Sequence, residues 1–160
     1  MLLNSHMVQG YLQTNNLGEK AQVGYDLTLK AVKKVRGGMV LKDKTVLEDY
    51  EDVSPTLTAT GKYVYSLTPG VYSLTFDQGI KLDNRHTAFI RHRSSILRCG
   101  AQITSGVYDP AFEVDEMGAV MFVSNTMHIE KGARVAQVIL FENYEADAYS
   151  GQFLGAKDIK

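Results

Sequence analysis

Only one cysteine, Cys99, stands among the 160 residues, so no disulfide can form within the chain. That scarcity fits a reducing, cytoplasmic setting. Cys99 has no evident base nearby, which argues for a buried structural thiol rather than a nucleophile. Excess charge is also lacking, with a net of −1 at pH 7. No global basic field draws the chain to nucleic acid or to an anionic membrane, so any anion site must be local. No apolar run is long enough to span a bilayer. The opening MLLNSHMVQGYL has neither a basic start nor a long apolar stretch, and does not read as a signal peptide. Helical periodicity is almost missing, and no repeat, linker or low-complexity block divides the sequence. A single domain over residues 1–160 is expected, long enough to bury a core.

Short strands fill that domain. A short helix is possible among the first residues, and Asn15, Asn16 and Gly18 then mark a loop. In residues 22–35, Val23, Tyr25, Leu27 and Leu29 alternate onto one apolar face, so Asp26 and Thr28 point away from it. Gly37-Gly38 reads as a turn, and the acidic run 48–52 as a solvated hairpin or loop. Strands are expected over 63–67, 71–76, 79–82, 86–92, 119–123 and 133–141. Tyr63, Tyr65 and Tyr72 are expected to pack between sheets. Within the last strand, Arg134 and Gln137 fall on opposite faces, so one site can take both only across a bulge or a strand end. Residues 143–160 are polar and read as a mobile C-terminal arm. Close-spaced strands and glycine-rich turns imply an all-β sandwich or barrel.

Residues 93–112, RSSILRCGAQITSGVYDPAF, carry the densest chemistry. Ser94 or Ser95 can cap a short turn, Arg93 and Arg98 flank it, and Gly100 can close it. Hydroxyls, guanidinium forks and backbone amides in such a turn suit phosphate. Asp109 follows as a lone carboxylate between Tyr108 and Pro110. A phosphate cradle before a lone carboxylate suggests a nucleotide hydrolase. The same residues also suit a surface turn with a salt bridge, followed by a β-turn.

Several segments in order resemble the superfamily of trimeric deoxyuridine triphosphatases and dCTP deaminases. They are GYDLTL (24–29), LTPGVYSLTFDQGIKL (67–82), RSSILRCG (93–100), GVYDPAF (106–112), ARVAQVILF (133–141) and YSGQFLG (149–155). The resemblance spans residues 22–155. It implies a dUTPase-like, jelly-roll type β-fold, a homotrimer with sites at subunit boundaries, and hydrolysis of dUTP to dUMP and pyrophosphate with Mg²⁺. It also implies site roles. Asp109 is the general base. Arg93, Ser94, Ser95, Arg98 and Gln137 contact phosphates, and Phe112 stacks on deoxyribose. Gln152 closes over the phosphates from the arm, and Asp26 holds a water of the metal.

One position separates the two activities. Deaminases of this superfamily carry a glutamate three residues before the asparagine that ends this strand, and here that position is Phe122. Phenylalanine cannot shuttle the protons that deamination requires. Ala148 replaces the lysine usual before the deaminase tyrosine. The hairpin after Phe112 is longer than usual, which leaves base identity open. It also offers Glu113 and Glu116 as alternative proton carriers. dUTP hydrolysis is therefore the reading. dCTP deamination, a bifunctional enzyme and a non-catalytic nucleotide-binding regulator remain as alternatives.

Overall fold

The computed structural model describes residues 1–43, 47–144 and 149. Helix α1 (Ser5–Gln9) opens it, followed by β1 (Leu12–Gln13), β2 (Glu19–Lys20), β3 (Tyr25–Met39), β4 (Leu47–Val53) and β5 (Thr56–Leu57). Strands β6 (Tyr63–Leu67), β7 (Gly70–Phe76), β8 (Gly79–Lys81) and β9 (His86–His92) lead to helix α2 (Ser94–Arg98). The chain then runs through β10 (Ala101–Thr104), β11 (Glu113–Val114), β12 (Gly118–Val123), β13 (Met127–Glu130) and β14 (Arg134–Glu142). The fold is all-β, as the strand pattern required.

Six strands close into a ring. The hydrogen-bonded order runs β14-β9-β10-β12-β7-β3, and β3 pairs again with β14. Closure leaves these strands no open edge. The length of β3 makes it possible: Tyr25 to Thr28 pair with β14, Leu29 to Lys34 with β7, and Val32 to Met39 with β4. Where β3 changes partner, a buried side chain replaces the ladder. Gln78 Oε1 accepts the Thr28 amide at 3.0 Å, and its Nε2 donates to Thr28 Oγ1 at 2.9 Å. The Thr28 hydroxyl donates to Asp77 Oδ2 at 2.7 Å. A buried amide at such a junction needs a substitute partner, and Gln78 supplies it.

Alternation fills the interior. Leu27, Leu29, Leu74, Phe76, Ile90, Ile103, Met121, Val138 and Leu140 are all buried. The outward positions of β10, β12 and β7 carry no charge: Gln102, Thr104, Val120, Phe122, Val71, Ser73 and Thr75.

The acidic run forms the exposed strand β4, paired with β3 as the solvated hairpin expected of it. Three expectations change. Gly37-Gly38 lies inside β3, at a register shift against β4, because the hairpin extends past it. Tyr65 and Tyr72 are buried, whereas Tyr63 is exposed at the first position of β6. Cys99 caps α2 at the surface, so it is no core thiol.

Candidate active site

Strand register builds one half of the site. Glu19 of β2 lies opposite Asp26 of β3, and Asp26 lies opposite Gln137 of β14. Cross-strand partners project to the same side of a sheet, so these three form a row. The β14–β3 register shifts between Arg134 and Ala136. That bulge brings Arg134 to the side of Gln137, the irregularity their spacing demanded. Arg93, just past β9, and Ser94, at the start of α2, close the row. With Lys20, Ala21, Gln22 and His92 they line a cavity of about 380 Å³.

Asp26 is the centre of this cavity and is only 4 % exposed. Its Oδ2 lies 3.0 Å from Arg93 Nε and 3.5 Å from Arg134 Nη1. Gln137 Nε2 donates to Oδ1 at 3.3 Å. A buried carboxylate needs such company to remain charged. Arg134 also pairs with Glu19. The Nδ1 of His92 accepts the Ile103 amide at 3.4 Å.

Two glycines let the backbone come this close. A Cβ on Gly24 would lie 2.3 Å from Val138 O and 2.7 Å from Gln137 Cγ. Gly18 has φ +78, and a Cβ there would lie 2.3 Å from Asp26 O.

The RSS turn differs in detail from expectation. Arg93, not a serine, occupies the N-cap of α2, and no side chain caps it. Ser94 and Ser95 are the first two helical residues, both exposed. Gly100 closes the helix at φ +80, as expected, with its amide donating to Leu97 O at 3.1 Å. Ser95 and Arg98 are exposed and are not among the residues lining the cavity.

Asp109 stands elsewhere. Tyr108 and Ala88 exchange backbone hydrogen bonds of 2.9 and 3.0 Å, fixing the turn beside the middle of β9. Ala88 lies five residues before Arg93, and at ~3.3 Å per residue this separates the two ends by roughly 16 Å. Asp109 does not line the cavity. Phe112 is 0 % exposed, with Tyr108 and Tyr149 edge-on at ring distances of 5.3 and 5.0 Å. A ring enclosed in this way has no face for a sugar, so the expected stacking is closed off in this conformation. Burial raises the Tyr108 hydroxyl far above the usual tyrosine pKa. It donates to Gly118 O at 2.6 Å and accepts the Gly118 amide at 3.0 Å. Gln152 lies outside the described residues, as do most residues of the expected arm.

Glu113 and Glu116 on the long hairpin pair with Lys81 and Lys30. Phe122 is 49 % exposed, not sunk among apolar neighbours. A carboxylate at that position would therefore meet water.

Sequence reasoning did not place Glu19, Lys20 or His92 in the site. No local pattern marks them: a two-residue edge strand has no periodicity, and only the ladder to β3 brings Glu19 to Asp26.

Solved structures share this fold. A dCTP deaminase from Agrobacterium tumefaciens superposes with a TM-score of 0.64 at 13 % identity, covering 87 % of this chain. This chain spans 47 % of that protein's length. The native EIAV dUTPase gives a TM-score of 0.55 at 14 % identity, covering 95 % of this chain and 97 % of the other. The class is thus the dUTPase-like all-β fold.

Residues 3–143 match the dCTP deaminase-like family, and the chain belongs to it. A deoxyuridine 5'-triphosphate nucleotidohydrolase of Methanocaldococcus jannaschii is 27 % identical over 159 residues, 97 % of this chain and 99 % of that protein. A probable enzyme of the same name from Halobacterium salinarum is 29 % identical over 132 residues, 81 % of this chain and 79 % of the other.

The donor set bears on a metal. Among the described residues no three His, Cys, Asp or Glu side chains group to hold an ion. Asp26 already pairs with two guanidinium groups. These residues fit a hard cation carried by phosphates and waters, with one carboxylate reaching its shell, rather than a cage of protein ligands.

Proposed function

We propose that this protein hydrolyses dUTP to dUMP and pyrophosphate. The observation that carries the choice is Phe122, which has no proton to exchange at the position where a deaminase of this superfamily keeps its glutamate. The dUTP nucleotidohydrolases among the relatives support the same reading. The cavity supplies what a triphosphate needs: Arg93, Arg134, Ser94 and Gln137 around a fixed carboxylate.

In the proposed reaction Asp109 takes a proton from water as its oxygen bonds the α-phosphorus. The bond from that phosphorus to the bridging oxygen breaks, and pyrophosphate leaves. Mg²⁺, reached by Asp26 through water, would supply charge neutralisation to the phosphates. Ser95, Arg98 and the arm's Gln152 belong to the same proposal as outer phosphate contacts.

A general base must come within ~3 Å of the water it activates, whereas Asp109 stands far along β9 from its own cavity. In the proposed assembly a second copy brings its Asp109 to the first, as in the homotrimer that the resemblance implies. The uncharged outer face bearing Phe122 suits such contact. The reading requires neither nucleic acid nor a membrane, and no helix among the described residues is long and apolar enough to cross one. A cytoplasmic site of action fits the lone exposed thiol.

Incubation with dUTP and with dCTP, assaying pyrophosphate and ammonia separately, tests it. Pyrophosphate from dUTP without ammonia from dCTP is expected. Ammonia from dCTP would support deamination instead, with Glu113 and Glu116 as proton carriers. Binding of either nucleotide without any product would make the chain a regulator.

A further inference from the structure

Two carboxylates meet one guanidinium nitrogen in the cavity. Arg134 Nη1 pairs with Glu19 Oε2 and lies 3.5 Å from Asp26 Oδ2. The two acids are not equivalent. Asp26 also holds Arg93 and Gln137, and its side chain is 5 % exposed. Glu19 is 64 % exposed, sits on a two-residue edge strand, and among the described residues has Arg134 as its one ion-pair partner.

An anion entering the cavity must compete for Arg134. If Arg134 turns to the anion, Asp26 keeps two partners and remains satisfied. Glu19 loses its partner but can turn to water at small cost, since half-exposed ion pairs are weak. Glu19 is therefore the exchangeable ligand. Its side chain already presents to Arg134 the oxygen pair that a phosphate would present. Like charges directly opposed across a ladder are unfavourable, so Arg134 between Glu19 and Asp26 also keeps the empty row stable.

We propose that Glu19 is a gate on polyphosphate binding, an internal competitor that occupies Arg134 until a ligand able to span Arg134 and Arg93 displaces it. A chain of two or three phosphates can take Arg134 while still holding Arg93 and Ser94. A single phosphate reaches fewer of these groups and is the poorer competitor. This inference rests on the reading of the cavity as a phosphate site. It does not depend on which base is bound or on turnover.

Calorimetry with inorganic pyrophosphate and inorganic phosphate, without divalent cations, tests it on the full chain and on Glu19→Gln. Glutamine keeps the size and removes the charge. Both anions should bind the variant more tightly, and pyrophosphate, which can take Arg134 while holding Arg93 and Ser94, should gain more, so that its preference over phosphate rises roughly three- to tenfold. A general loosening of the fold would weaken both anions and cannot produce that change in ratio. Glu130→Gln removes an ion pair with Lys62 that does not line the cavity and should leave both affinities unchanged. An unaltered ratio in Glu19→Gln, or weaker binding of both anions, overturns the gate. If neither protein binds pyrophosphate, the gate and the phosphate reading fall together. If the ratio shifts but dUTP is not hydrolysed, the gate stands and the proposed reaction falls.

Discussion

The two ends of β9 have been built in opposite ways. At its C-terminal end, four strands and a helix start converge on Asp26, and Glu19, His92, Arg93, Ser94, Arg134 and Gln137 line a cavity around it. Near Ala88, the turn carrying Asp109 is backed by a packed aromatic cluster of Tyr108, Phe112 and Tyr149. The first end gathers charge and leaves space for a ligand. The second end fills its space and offers one carboxylate on a rigid support. The proposed hydrolysis needs both, and it therefore calls on a second copy of the chain.

Mixing variants tests that comparison with the largest expected effect. Asp109→Asn should lower dUTP hydrolysis by about 10²–10⁴ while anion binding survives. Arg93→Ala should lower hydrolysis by about 10²–10³ through loss of charge stabilisation. Co-expressed in one cell, the two inactive chains should recover part of the activity, because some sites then receive an intact cavity and an intact Asp109. Light scattering should show about three times the 17.7 kDa chain mass. A mixture as inactive as its parents, or a monodisperse active monomer, breaks the shared site.

The two ends were not equally legible in the sequence. Period-two alternation located most strands, and the three-residue spacing of Arg134 and Gln137 required the bulge that β14 shows. Such inferences need only local geometry. Alternation also put Asp26 off the apolar face, yet it could not tell solvent from a second buried layer, because Arg93 and Arg134 come from residues far along the chain. The burial of Phe112 was not legible for the same reason. Its cover includes Tyr149, and no local pattern pairs residues so far apart. Glu19 gave no signal, since only its partner strand defines its direction.

Gly24→Ala sharpens the cavity side. The added methyl would meet Val138 O at 2.3 Å, and backbone cannot yield as a flexible side chain does. A loss of about 1–3 kcal/mol is expected from overpacking. Because Gln137 must also move, pyrophosphate affinity should fall about tenfold, a loss of ~1.4 kcal/mol in binding. Thermal unfolding and calorimetry measure the two effects, and normal affinity with lowered stability would free Gln137 from the phosphate role.

Tyr108→Phe probes the other end. It leaves the Gly118 amide and carbonyl without their buried partner, at a cost of about 1–3 kcal/mol. The melting temperature should fall by roughly 2–4 °C for each kcal/mol lost. Pyrophosphate binding should be unchanged, since Tyr108 is remote from the cavity. Equal weakening of anion binding would mean that the two ends are coupled within a single chain.

The smallest effect lies beneath the Asp109 turn. Asp83 O accepts the Ala111 amide at 2.8 Å, and its carboxylate contacts His86 Nδ1 at 2.7 Å and the Tyr11 hydroxyl at 3.1 Å. Burial raises the Asp83 pKa, but hydrogen bonds from His86, the Arg85 amide and Tyr11 outweigh it and leave the value lowered. A carboxyl whose folded pKa lies below its unfolded value of about 3.9 stabilises the fold above that value. The contribution disappears as pH falls through the folded pKa. Asp83→Asn should therefore lower the melting temperature at pH 7 by only about 1–3 °C, since the group is partly exposed. The difference from the parent protein should shrink below pH ~4 as the parent's carboxyl takes up its proton. A gap that is the same at pH 3 as at pH 7 would assign the effect to lost packing around the turn, not to the charge of Asp83.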